Sequence, residues 1–182
     1  MVHIESELEK EVIMSLAVKT RLSCSFSLMV LVSVLAILPR IALAQSKPVD
    51  ELLLLAQIAM SKGHPEDALN ALRRAIDQAP DRAELYLLRS RARDASGKYE
   101  AALEDATRYI AMKPEDPVGY LNRARIYSSQ EKNAEALRDA DYAIGIAPGQ
   151  ADGYFRRADI YTDMGKLAEA QADERTAEEL DK

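Results

Sequence analysis

Pro80, Pro114 and Pro148 stand 34 residues apart, and the residues ahead of each recur at the same step. A chain with one fixed period near 34 cannot distribute its apolar residues freely over a single core. Each block must be a unit that buries its surface against the next.

In register, Leu52, Tyr86, Tyr120 and Tyr154 open the blocks, and Ala56, Ser90, Ala124 and Ala158 follow four residues later. Gly63, Gly97 and Gly165 share a later position, with Glu131 as the exception, and Ala68, Ala102, Ala136 and Ala170 share another. Each block therefore predicts two helices. The glycine supplies the left-handed backbone of the turn between them, and the proline ends the second helix because it cannot continue it. The small residues let the paired helices approach closely. Charged residues make up 30% of the chain and aromatics 5%, which suits solvated helices packed through alanine and leucine rather than a wide globular core.

At these residues the chain resembles the tetratricopeptide-repeat family, over four contiguous repeats at 49–82, 83–116, 117–150 and 151–182, after a short linker at 45–48. The resemblance implies an all-α, right-handed helical solenoid of eight antiparallel helices. The chain departs from the family pattern at Arg93, where a large apolar or aromatic residue is usual, and at Glu131 in the turn.

Arg89, Arg123 and Arg157 occupy one position of repeats two to four, and Asp105, Asp139 and Asp173 another, sixteen residues later. Repeat one has Leu55 and Ala71 instead, so the two charges come and go together. Pairing within each repeat accounts for that, and three bridges from first helix to second are expected. If such a bridge is buried, Arg89→Ala is expected to cost about 2 to 4 kcal/mol.

The resemblance also implies a concave groove lined by the first helices. Carried over by position, it nominates an apolar row of Leu53, Leu87, Leu121 and Phe155. Gln57, Arg91, Arg125 and Asp159 lie one turn further on, and Leu54, Leu88, Asn122 and Arg156 run beside them. The expected partner-binding residues are Leu87, Arg91, Leu121, Asn122, Arg125, Phe155 and Arg156. Such a lining suits an extended peptide whose acidic side chain or terminal carboxylate is held by the arginines. The co-chaperone clamp known in this family is matched only by Asn122 and Arg156; Leu87, Arg91 and Asp152 do not fit it.

Leu52 to Leu55 are consecutive leucines, and four adjacent residues spread around a helix cannot all face one neighbour. Self-association through this first helix is the alternative function. In the last repeat, Gln171, Glu174 and Glu178 replace Leu137, Ala140 and Ile144, so the last helix is expected to serve as its own polar cap.

Residues 26–38 are apolar apart from Ser27 and Ser33, follow Lys19 and Arg21, and precede Ala42-Leu43-Ala44-Gln45. This is the pattern of a signal peptide over residues 1–44, cleaved after Ala44. These thirteen residues span roughly 20 Å as helix, short of a bilayer core of ~30 Å. Glu5, Glu7, Glu9 and Glu11 are foreign to a leader, so Met14 is the expected start. The repeats are expected in the periplasm of a bacterium or secreted, with an uncleaved inner-membrane anchor as the alternative. Only in that case would the protein contact a membrane.

Cys24, the single cysteine, precedes the apolar stretch, whereas a lipid-modified cysteine follows one. Without another cysteine no disulfide can form, and stability must come from stacking. Residues 1–44 carry as many acidic as basic side chains, so residues 45–182 keep the whole net charge of −6. No basic stripe offers a footprint for nucleic acid. His64 is the one histidine after the leader, too few for a zinc site or a nucleophile–base pair. No glycine-rich phosphate loop is present. The sequence thus reads as a non-enzymatic protein-interaction module, with no catalytic residues, no metal and no cofactor.

Overall fold

The computed structural model describes residues 48–182. The apolar stretch at 26–38, Cys24, Met14 and the cleavage position after Ala44 lie outside them. The described residues form eight helices and no strand: α1 Val49–Ser61, α2 Pro65–Gln78, α3 Ala83–Ala95, α4 Tyr99–Met112, α5 Pro117–Ser129, α6 Asn133–Ile146, α7 Ala151–Asp163 and α8 Leu167–Leu180. None is long and apolar enough to cross a membrane.

Local chemistry sets the ends. Pro65 and Pro117 each occupy the first helical position, where the missing N–H would have had no partner. Asp116 caps α5, its carboxylate accepting the Val118 N–H at 3.0 Å. Every first helix ends in the same two bonds. In repeat one, His64 N–H reaches the Ala59 carbonyl at 2.9 Å and Gly63 N–H reaches that of Met60 at 3.1 Å. The longer bond recurs from Lys98 to Arg93 at 2.8 Å, Lys132 to Tyr127 at 2.9 Å and Lys166 to Tyr161 at 2.8 Å. This double closure needs a left-handed residue. Gly63, Gly97 and Gly165 supply it with φ of +73°, +70° and +72°, and Glu131 is driven to +58°.

Each helix packs most extensively on the partner within its repeat, and next on the following helix of the chain. Successive first helices also touch, α1 with α3, α3 with α5 and α5 with α7. The second helices make no comparable contact with one another. The stack therefore curves with the first helices on its inner, concave side, as an all-α solenoid.

Three register positions seal the stack. Ala56, Ser90, Ala68, Ala102, Ala124 and Ala136 are all 0% exposed, where first and second helices cross closely. Ala92, Ile126 and Ile160 are likewise 0% exposed. Ile126 clusters with Ala102 and Ala106, and Ile160 with Ala136 and Ala140, each pair on the second helix of the preceding repeat. Volumes are matched as well: a Cβ on Gly119 would come within 2.8 Å of the Tyr109 ring and 2.9 Å of Ile110. Leu85, at the same position one repeat earlier, faces the smaller Ala75 in the first core cluster.

The opening tyrosines tie repeats together. The Tyr86 hydroxyl donates to the Pro80 carbonyl at 2.9 Å, Tyr120 to Pro114 at 3.1 Å and Tyr154 to Pro148 at 3.3 Å. Each proline thus ends a helix and offers its carbonyl to the next repeat.

A left-handed conformation costs a non-glycine residue about 1–2 kcal/mol, partly offset by the greater unfolded-chain entropy of glycine. Glu131→Gly is therefore expected to stabilise the protein by about 0.5–1 kcal/mol, read as a higher midpoint in thermal or urea unfolding.

Candidate functional site

Charge pairs hold the helices that build the groove. Arg89 donates to Asp105 twice at 2.7 Å, Arg123 to Asp139 at 2.7 and 2.9 Å, and Arg157 to Asp173 at 2.7 and 2.8 Å. All three pairs are bidentate, lie within one repeat and use buried carboxylates. These bonds come first among the causes that raise each guanidinium above its ordinary pKa, against an opposing effect of burial. Each arginine also lies over the tyrosine three residues before it, at 5.5 to 5.8 Å from the ring centre. Tyrosine, arginine and aspartate thus act as one unit, replaced in repeat one by Leu52, Leu55 and Ala71.

Arg93 belongs to the same cluster. It ion-pairs with Asp105 at 2.8 Å and donates to the Ala101 carbonyl at 2.9 Å. Asp105 therefore holds two arginines, and the departure from the family pattern at Arg93 is a polar bridge in place of an apolar contact.

The concave side holds a groove of about 500 Å³. Of the seven residues nominated from sequence, Arg91, Leu121, Asn122, Arg125, Phe155 and Arg156 line it. Leu87 does not: α3 reaches the groove only through its last turns, with Arg91 and Ala95, and Leu87 sits one turn too early. Met60 and Val118 add apolar surface, and Asp152 and Asp159 add negative charge. Phe155 is 40% exposed.

The polar residues of this lining differ in availability. Arg125 is ion-paired with buried Asp94 at 2.6 Å, and Arg156 with Asp159 at 3.1 Å. Asn122 is buried and donates to the Ser90 hydroxyl at 2.8 Å, which in turn donates to the Ala102 carbonyl at 2.9 Å. All three already bond within the protein, so the groove arginines nominated from sequence are not equally open to a carboxylate. Arg91 has no ion pair among the described residues.

The reason is positional. Arg125 finds its partner on the preceding first helix, thirty-one residues earlier at Asp94; the same step back from Arg91 reaches Met60. Arg91 is open to solvent but enclosed by the concave wall, and partial desolvation, followed by the like charge of Arg125, lowers its pKa. Asp152 likewise has no ion-pair partner among the described residues. The Asp94 Oδ1 and the Arg156 Nε are buried without a hydrogen-bond partner in the protein.

Sequence reasoning missed Asp94, the Ser90 relay and the tyrosine–proline ties. Asp94 was detectable as the sole acid at its register position, alongside Met60, Ser128 and Thr162. Among the described residues, no group of three or more His, Cys, Asp or Glu side chains could hold a metal ion.

Paired antiparallel helices stacked in register, with a groove on the side of the first helices, define a helical-repeat interaction module. Family models described as tetratricopeptide repeat match residues 53–117 and 151–182, together more than half of the chain. The chain belongs to the tetratricopeptide-repeat family. No curated protein matches the sequence. A crystal structure of MamA is similar with a TM-score of 0.64 at 24% identity, covering 79% of this chain and 84% of that one. A second MamA structure gives 0.61 at 26% identity, with 72% of each chain covered. TTC0263, a thermophilic TPR protein of Thermus thermophilus, gives 0.66 at 22% identity, over 72% of this chain and 74% of that one. The likeness to these structures is one of fold.

Removing one partner of a buried pair strands the other charge, at a cost of about 3 kcal/mol or more. Arg123→Ala strands Asp139 and is expected to lose roughly that much. Arg89→Ala leaves Asp105 with Arg93 and is expected to lose clearly less. Urea unfolding of both variants checks the order.

Proposed function

We propose that the protein is a non-enzymatic scaffold that binds an extended segment of a partner protein in the concave groove. The observation that carries this reading is Arg91, a cation without an ion pair among the described residues, set in an apolar lining that includes Leu121 and Phe155. Charge-assisted hydrogen bonds from a planar guanidinium favour a carboxylate. Asp152 favours a basic residue elsewhere on the same segment. The partner is thus a peptide with an apolar anchor flanked by one acidic and one basic side chain, rather than the uniformly acidic tail that three available arginines would favour.

Peptides selected from a displayed random library against the protein test this. Arg91→Glu is expected to weaken the selected peptides by about tenfold or more in fluorescence anisotropy, the loss of a charge-assisted contact, and to shift reselection towards basic residues. Unchanged binding and unchanged selection would retire the groove reading.

We further propose that the repeats act outside the cytoplasm of a bacterium, on the strength of the leader-like residues 1–44. Fractionation followed by mass spectrometry of the isolated protein is expected to give an amino terminus at Gln45. An intact leader in a membrane fraction would favour the anchored alternative, and an intact leader in the cytosol would overturn export.

A further inference from the structure

Helix α1 exposes an apolar surface where every later first helix is covered. Ile58 is 41% exposed, whereas Ala92, Ile126 and Ile160 at the same register position are 0% exposed against the preceding repeat. Leu54 is 55% exposed, whereas Leu88 at its register position is packed on the first core cluster. The register begins at Val49, so α1 carries the surface of a stacked repeat, and among the described residues no repeat stands before it.

Another copy could not cover this face by continuing the stack. The groups that receive Ile126 and Ile160 are Ala106 and Ala140, and the corresponding position of α8 is Glu174, with exposed Gln171 and Glu178 beside it. An incoming Ile58 would desolvate that carboxylate without pairing it. Head-to-tail assembly is disfavoured.

A face-to-face arrangement has no such conflict. Asp50, Leu54, Ile58 and Lys62 follow one another at steps of four, which places them along a single ridge of the helix. The ridge is acidic at one end, apolar in the middle and basic at the other, so it is complementary to itself when reversed. Ridges of this kind, inclined by about 26° to the axis, lie side by side when two helices cross near −50°. Asp50 gives only its Oδ1 to Arg82, its side chain being 83% exposed, and Lys62 has no ion pair among the described residues.

We propose that α1 is the contact of a two-fold symmetric dimer in which the ridges of two copies run antiparallel. Leu54 of each copy meets Ile58 of the other, and Asp50 meets Lys62. Such an interface closes on itself and leads to dimers rather than filaments. It does not depend on the groove having a ligand.

The test uses protein purified from cells producing the full chain, in a Cys24→Ser background. Asp50→Cys chains and Lys62→Cys chains are prepared separately, then mixed and oxidised. The mixture is expected to give a disulfide dimer joining the two substituted positions, about tenfold or more faster than either chain alone, because bridging needs the two Cβ atoms close together. Adding Leu54→Glu to both chains is expected to slow the reaction by roughly tenfold or more, with the helical circular-dichroism signal retained, since a carboxylate would be desolvated at the centre of the contact. The proposal is overturned if the mixture links no faster than a mixture of Asp50→Cys with Glu178→Cys chains. It is overturned equally if Asp50→Cys alone links as fast, the mark of a parallel contact, or if Leu54→Glu has no effect.

Discussion

A side chain at the position of Ala92, Ile126 or Ile160 stays dry only while the second helix of the preceding repeat lies over it. Burial at this position is therefore a property of neighbours and not of single repeats, and that share of the apolar burial belongs to the array. The curvature follows from the same contact. Fully buried alanines and Ser90 bring each first helix close to its partner, successive first helices touch, and a concave surface results.

Because apolar contacts of this kind are non-directional, they do not by themselves hold a register. The directional part is the tyrosine, arginine and aspartate unit of repeats two to four. Its phenol reaches back to a proline carbonyl, and its guanidinium spans the two helices of the repeat through a bidentate pair. Arg157 extends the span by donating to Asp141 on the preceding second helix at 2.7 Å. Such bridges add little net stability against an apolar alternative, but they penalise every misregistered arrangement that would strand a buried carboxylate. Among the described residues no repeat precedes repeat one, and it has none of the three residues.

The groove shows how a periodic scaffold produces sites that are not periodic. Gln57, Arg91, Arg125 and Asp159 share one register position, yet the electrostatic situations of the charged three differ because their neighbours differ. Asp94 neutralises Arg125, Met60 cannot neutralise Arg91, and Asp159 turns instead to Arg156 three residues before it. Among the described residues, Arg91 is the arginine of this lining without an ion pair, while Arg125 and Arg156 have one each.

The period, the eight helices, the turns and the partners of Arg89, Arg123 and Arg157 were legible in the amino-acid order. Each rests on spacing along one chain: three to four residues per helical turn, a left-handed turn position, and a fixed step between two helices of one hairpin. Glu131 was legible as an exception for the same reason. What the order did not disclose were the contacts between repeats, because these depend on how far the stack curves and on which side chains that curvature brings within reach. Leu87 falls outside the groove, Asn122 is spent on Ser90 and Arg125 on Asp94, all through packing of one repeat on the next. Sequence by itself determined the unit and its repetition, since both are local. Only the tertiary structure decided which polar groups are still unpaired once the units are stacked, since pairing is settled by distances across helices far apart in the chain.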